Sequence, residues 1–87
     1  MNIDNRATKL YLKKLPPVVA VELLEKYMIP SPYKEIIHMT CVKNYPQYKA
    51  MKELSKVGIN LSFRSFTRKQ AEALEKFRIA HLFCNQP

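Results

Sequence analysis

With 87 residues, 47% of them hydrophobic, and with one glycine, no tryptophan and six prolines, the chain can build one modest core and is not a disordered polyelectrolyte. Fifteen Lys and Arg against seven Asp and Glu give a formal charge of +8, a field that attracts phosphate polymers, anionic membrane or an acidic protein. Cys41 and Cys84 are too few for a disulfide framework. The opening MNIDNRATKLYLKKL has no apolar leader run, and PPVVAV cannot span a bilayer, so a soluble, cytoplasmic chain with no membrane partner is expected.

Leu, Lys, Glu and Ala recur along the sequence, which is helix-forming chemistry and predicts an all-α fold. A first helix is expected to start after Asp4 or Asn5, with Ala7, Leu10, Tyr11 and Leu15 as its buried stripe. Arg6, Lys9 and Lys13 share its outer face. Pro16-Pro17 stops it, and proline suits the first turn of the next helix, where its missing N–H costs nothing. That helix, about 17–28, reads VVAVELLEKYM and is apolar nearly all round. Such a surface needs covering by neighbours, so it is expected to be the central helix.

Ile29-Pro30-Ser31-Pro32 breaks the chain again, with Ser31 as N-cap and Pro32 as first helical residue of a third helix. Tyr33, Ile36, Ile37, Thr40 and Cys41 form its buried stripe. Asn44-Tyr45-Pro46 ends it and starts a fourth helix, about 46–57. There Tyr48, Met51 and Leu54 face inward, and Lys49, Lys52, Glu53 and Lys56 face water. Gly58 follows as a positive-φ C-cap, Ile59 and Leu61 plug the space between helices, and Asn60 or Ser62 caps a long fifth helix, about 63–83. Its stripe runs Phe63, Phe66, Gln70, Ala73, Leu74, Phe77 and Ala80. The expectation is a single domain over 1–87, a compact bundle of about five helices.

The last two helices, joined by a short glycine-containing turn and basic at the start of the second, describe a helix-turn-helix over about 46–80. In such a unit the second helix enters the major groove and meets base edges with its N-terminal residues. Arg64, Ser65, Arg68 and Lys69 are the candidates for that role, Arg64 and Arg68 as bidentate donors to guanine. Lys49, Lys52 and Lys56 are the candidates for phosphate contacts that position the protein on the duplex. Packing alone offers a plainer account of the same features, since any helical domain exposes charges and caps helices with glycine.

From Ser31 onward, the order of a proline-led helix with paired Ile36-Ile37, a short helix from Tyr48 to Leu54, a turn with Ile59, and a basic helix from Arg64 to Arg78 resembles the helix-turn-helix domain of sigma-70 region 4. Small phage and mobile-element transcription regulators reuse that domain. The resemblance implies binding to promoter or operator DNA, with RNA polymerase as a further partner. The chain departs from the family in its longer SKVGIN connector, in Ala50 and Met51 where the first two helices meet, and in Phe63 or Phe66 at the aliphatic position of the recognition helix. The separate core-binding region of a complete sigma factor is not evident.

His38-Met39-Thr40-Cys41 and His81-Leu82-Phe83-Cys84 are both H-x-x-C. On a helix each pair shares a face, and His38, Cys41, His81 and Cys84 together would complete a tetrahedral zinc set. Zinc signatures more often pair cysteines in a turn, and Cys41 falls in a buried stripe where a free cysteine serves as a small hydrophobe. No metal or cofactor is therefore expected. Neither a glycine-rich phosphate loop nor a nucleophile motif is present, so an enzyme is not expected. The competing class is a phage or mobile-element inhibitor or adaptor that docks on a host protein, supported by apolar surface in excess of what a small monomer covers. A homodimer is the simplest use of that surface, with Phe77, Leu82 and Phe83 as its candidate contacts.

Overall fold

The computed structural model of the chain describes residues 3–84; the first two and last three residues of the expected 1–87 domain lie outside that range. Helix α1 (Ile3–Lys14) is followed by α2 (Pro17–Lys26) and α3 (Tyr33–Ile37), which runs directly into a π-helical turn (His38–Val42); α4 (Gln47–Lys56) and α5 (Phe63–Cys84) complete the chain. Among the described residues there is no strand, and no helix is long and apolar enough to cross a membrane. The expected all-α bundle of about five helices is the one that forms.

Prolines and left-handed residues set most of the boundaries. Pro16 precedes α2, and its carbonyl accepts from the N–H groups of Val19 and Ala20, at 3.0 and 3.1 Å. At the far end of α2, Met28 adopts φ +56° and the Ile29 N–H returns to the Leu24 carbonyl at 3.2 Å. Gly58 does the same for α4 at φ +86°, with the Ile59 N–H on the Leu54 carbonyl at 2.9 Å. In both motifs the returning residue packs into the same apolar cluster as its acceptor, which is how a Schellman cap locks the exit of a helix. Asn44, at φ +57°, turns the chain after the π-helical turn. There Thr40 donates its hydroxyl to the Ile36 carbonyl at 2.7 Å, and the Lys43 N–H reaches back five residues to His38 at 2.9 Å.

Ser31 does not cap α3. Its hydroxyl donates instead to Glu35 Oε1 at 2.6 Å, and no side-chain cap is made at that end. Ser62 does cap α5, its Oγ accepting from the Ser65 N–H at 3.1 Å.

The core has two lobes, and α3 divides them with adjacent residues. Ile37 packs with Leu12, Leu24, Cys41, Leu74 and Phe77, while Ile36 packs with Ala50, Leu54 and Phe66. Helix α5 runs through both lobes, so the spine of the fold is α5. The expectation that α2 is central is corrected: only Ala20 and Leu24 of that helix are buried, and Val18 stands 66% exposed. An apolar circumference is not by itself a measure of centrality. A 10-residue helix lies at the edge while the 22-residue helix, about 33 Å long at 1.5 Å per residue, spans the molecule.

Three further inward assignments are corrected. In α1 the buried residues are Asn5, Thr8 and Leu12, whereas Ala7, Leu10 and Tyr11 are exposed. Short polar side chains occupy that inner face because each has a hydrogen bond: Thr8 donates to the Asp4 carbonyl at 2.9 Å and Asn5 to the Ala71 carbonyl at 3.4 Å. Tyr48 points outward at 76% exposure because Ala50 and Leu54 set the inner face of α4. Phe63 is likewise exposed, and Phe66 alone of the two is enclosed.

Candidate nucleic-acid interface

The start of α5 is held by the start of α4. Gln47 Nε2, in the first residue of α4, donates to Thr67 Oγ1 at 3.1 Å and to the Phe63 carbonyl at 3.5 Å. Thr67 in turn donates to the Phe63 carbonyl at 3.0 Å. With Phe66 fully buried against Ala50 and Leu54, the rotation of α5 about its axis is fixed. At 100° per residue, Arg64 and Arg68 then fall on the ridge opposite the buried one, and both are exposed. The ion pairs among the described residues are Lys34–Glu25 and Lys56–Glu53, so neither arginine is spent on a carboxylate.

Ser65 and Lys69 stand apart from that ridge. Ser65 is half-buried, its N–H taken by the Ser62 cap. Lys69 lies with its ammonium 5.5 Å from the ring centre of Tyr33, and Lys76 sits 5.2 Å from the same ring. Tyr33 donates its hydroxyl to Glu72 Oε2 at 2.8 Å, and that bond, followed by burial, pushes the phenol above its ordinary value. Lys69 is therefore a neighbour of α3 and does not share the outer ridge with Arg64 and Arg68.

On α4, Lys49, Lys52 and Lys56 share one exposed face, as their spacing requires. Lys49 rests 4.3 Å from the Tyr45 ring centre and Lys56 pairs with Glu53 at 3.1 Å, which leaves Lys52 unpaired.

The candidate zinc set does not assemble. Cys41 is buried, and burial pushes its thiol up, against a smaller opposing pull from the Thr40 hydrogen bond and the charges of Lys9 and Lys13. His81 shares a 2.6 Å hydrogen bond with the Tyr27 hydroxyl and stacks on Phe77, while Cys84 is exposed. Among the described residues no group of three or more His, Cys, Asp or Glu side chains is placed to hold a metal ion. Of the residues assigned to a partner contact, Leu82 and Phe83 are exposed at 55% and 71%, whereas Phe77 belongs to the core. Phe77 and Leu82 also line an apolar groove of about 200 Å³ between α1 and the last turns of α5, together with Ala7, Tyr11 and His81.

One arrangement escaped sequence reasoning. Lys9 and Lys13 of α1, placed on an outer face by periodicity, line a cleft of about 310 Å³ with Asn44, Tyr45, Gln47 and Gln70. The available signal was Gln70, the one polar member of an otherwise apolar α5 stripe.

No protein-family model, curated protein or solved structure matches the chain.

Proposed function

We propose that this chain is a small basic regulator that reads duplex DNA through α4 and α5, with Arg64 and Arg68 on base edges and Lys49, Lys52 and Lys56 along phosphates. The observation that carries this reading is the exposed, unpaired Arg64–Arg68 ridge on the first turns of a helix whose start is tied to α4 through Gln47. Two arginines one turn apart stand about 6 Å apart along the helix axis, so their planar forks can address bases about two steps apart, and the tie to Gln47 fixes the rotation of the helix that carries them. Ser65 and Lys69 contribute less in this reading, because one serves the cap and the other leans on Tyr33. The resemblance to sigma-type helix-turn-helix domains points to the same class, with promoter or operator DNA as the target, RNA polymerase as a further partner, and the cytoplasm as the place of action.

The test is enrichment from a pool of genomic duplex fragments, followed by a salt series. Wild type is expected to select a few fragments. Arg64→Ala/Arg68→Ala is expected to lose that preference, at about 1–3 kcal/mol per lost bidentate contact. Lys52→Ala is expected to weaken all duplexes alike and to reduce the salt slope by about 0.9. Equal, feeble binding by wild type and the arginine variant would sink the reading.

A second reading has its own observation. The apolar groove between α1 and α5, lined by Tyr11 and the exposed Leu82, favours a protein partner: a second copy of this chain, or a host protein bound by a phage or mobile-element inhibitor or adaptor. A stoichiometric complex with one host protein, alongside weak and sequence-indifferent DNA association, would select this reading over the first.

A further inference from the structure

The cleft between α1, the end of the π-helical turn, the start of α4 and the middle of α5 has the chemistry of an anion site. Lys9 and Lys13 line one side, and no carboxylate is among the lining residues. Tyr45, on the lining, carries Lys49 at 4.3 Å and Lys43 at 5.6 Å from its ring centre, so further positive charge stands at the rim. The start of α4 also opens here. Pro46 supplies no side-chain cap, and its carbonyl accepts from Lys49 and Ala50, which leaves the N–H groups of Gln47 and Tyr48 ahead of the first intrahelical bonds.

Those features alone would describe an ordinary basic surface. Gln70 makes the difference. Its side chain is only 8% exposed, it lines the cleft, and it has no hydrogen-bond partner among the described residues. Its amide atoms are not sealed from solvent, so they open to the cleft, and a ligand there can meet them without displacing a hydrogen bond within the protein. From that place the side chain offers its N–H groups to an acceptor bound in the cleft.

We infer that this cleft binds a phosphate group, held by the ammonium groups of Lys9 and Lys13, the side-chain amide of Gln70 and the first free N–H groups of α4. Convergent donors of three kinds, with no acceptor carboxylate, suit an oxyanion with several acceptor oxygens. The phosphate can belong to a nucleic-acid backbone or to a free phosphate or nucleotide; the recognising groups are the same. The site is separate from the Arg64–Arg68 ridge and does not rest on it.

Titration of the full chain with inorganic phosphate, against chloride at matched ionic strength, and read by amide NMR, tests the inference. Saturable shifts are expected at the Gln70 side-chain amide and at the Gln47 and Tyr48 N–H groups. Lys9→Gln/Lys13→Gln is expected to weaken phosphate binding about tenfold, and the charge-matched Lys14→Gln/Lys26→Gln, outside the cleft, less than about twofold. Gln70→Met keeps the volume and the helix, so its expected loss of affinity comes with unchanged folded-state spectra. Shifts that rise without saturation, or equal weakening by the two lysine pairs, would overturn the site in favour of a diffuse basic field. The source of the phosphate is read from duplex binding by Lys9→Gln/Lys13→Gln. A weaker complex with a lower salt slope assigns it to the nucleic-acid backbone, and an unchanged complex assigns it to free phosphate or nucleotide. Arg64→Ala/Arg68→Ala is expected to titrate with phosphate as wild type does, so a failure of the α5 reading and a failure of the cleft are distinguishable.

Discussion

Met28 and Gly58 occupy the same position in two copies of one capping motif, and only one of them is suited to it. Both lie in the left-handed region, at φ +56° and +86°. A side chain there crowds its own carbonyl at a cost of about 1–2 kcal/mol, partly offset because glycine is freer in the unfolded chain. Met28 is 84% exposed, so its side chain returns little packing. Met28→Gly is expected to raise stability by about 0.5–1 kcal/mol in urea unfolding. Gly58→Ala is expected to lower it by about 1 kcal/mol even though an added Cβ at Gly58 would meet nothing within 4 Å, because the penalty is backbone strain. A neutral Gly58→Ala would show that the connector relaxes out of the left-handed region. His38 supplies a pH dependence at the same scale. Burial, then the charges of Lys43 and Lys34, hold it below its ordinary value of about 6.5. The unfolded chain therefore binds this proton more readily, and stability rises with pH across the interval. The penalty is absent above about pH 6.5 and grows as pH falls towards the folded-state value. Thermal unfolding followed from about pH 7.5 down to pH 5 should show a falling midpoint in wild type and a shallower fall in His38→Gln.

At the scale of the element, α1 distinguishes apolar content from packing. Leucines at 10 and 12 lie on opposite sides of that helix: Leu12 is buried in the larger lobe and Leu10 is 54% exposed. Leu12→Ala is expected to cost about 2–5 kcal/mol, and Leu10→Ala no more than about 0.5 kcal/mol, in the same unfolding assay. The reverse order would mean that α1 packs by its Ala7–Leu10–Tyr11 face. What the sequence made legible follows from this contrast. Helix boundaries could be read because they depend on local chemistry, as at Pro17, Pro46, Gly58 and Ser62. The α3 stripe and the Phe66–Phe77 stripe could be read because apolar residues there outnumber polar ones on a single face. The α1 face could not, since Asn5 and Thr8 are buried by virtue of hydrogen bonds to partners that a sequence does not reveal, one of them in α5. The site divides in the same way. Exposure of Arg64 and Arg68 follows from their spacing to Phe66, while the withdrawal of Lys69 to Tyr33 and the gathering of Lys9 and Lys13 around Gln70 arise only once distant elements meet.

At the scale of the molecule, the question is how many copies a duplex would carry. The chain measures 40 × 26 × 21 Å, and a single α5 can present its first turns to one groove. Two-fold related recognition helices meet successive major grooves when they stand about 34 Å apart, a separation that two molecules of this size can bridge side by side. The surface that would join them is the apolar groove between α1 and the end of α5, where Tyr11 and Leu82 remain exposed and Phe83 follows in the same last turn. It lies at the opposite end of α5 from Arg64 and Arg68, so a dimer formed there leaves both ridges free. If a second copy occupies this groove, Leu82→Asp/Phe83→Asp buries two charges in the interface and is expected to halve the mass seen by analytical ultracentrifugation. The same variant should bind a single half-site as wild type does and lose the advantage of a palindrome with half-sites about 10 base pairs apart. A wild type that sediments as one copy at every concentration would reject the dimer. The DNA reading would then expect an operator that is a single asymmetric site, one groove wide, and would leave the exposed apolar residues without a second copy to cover them.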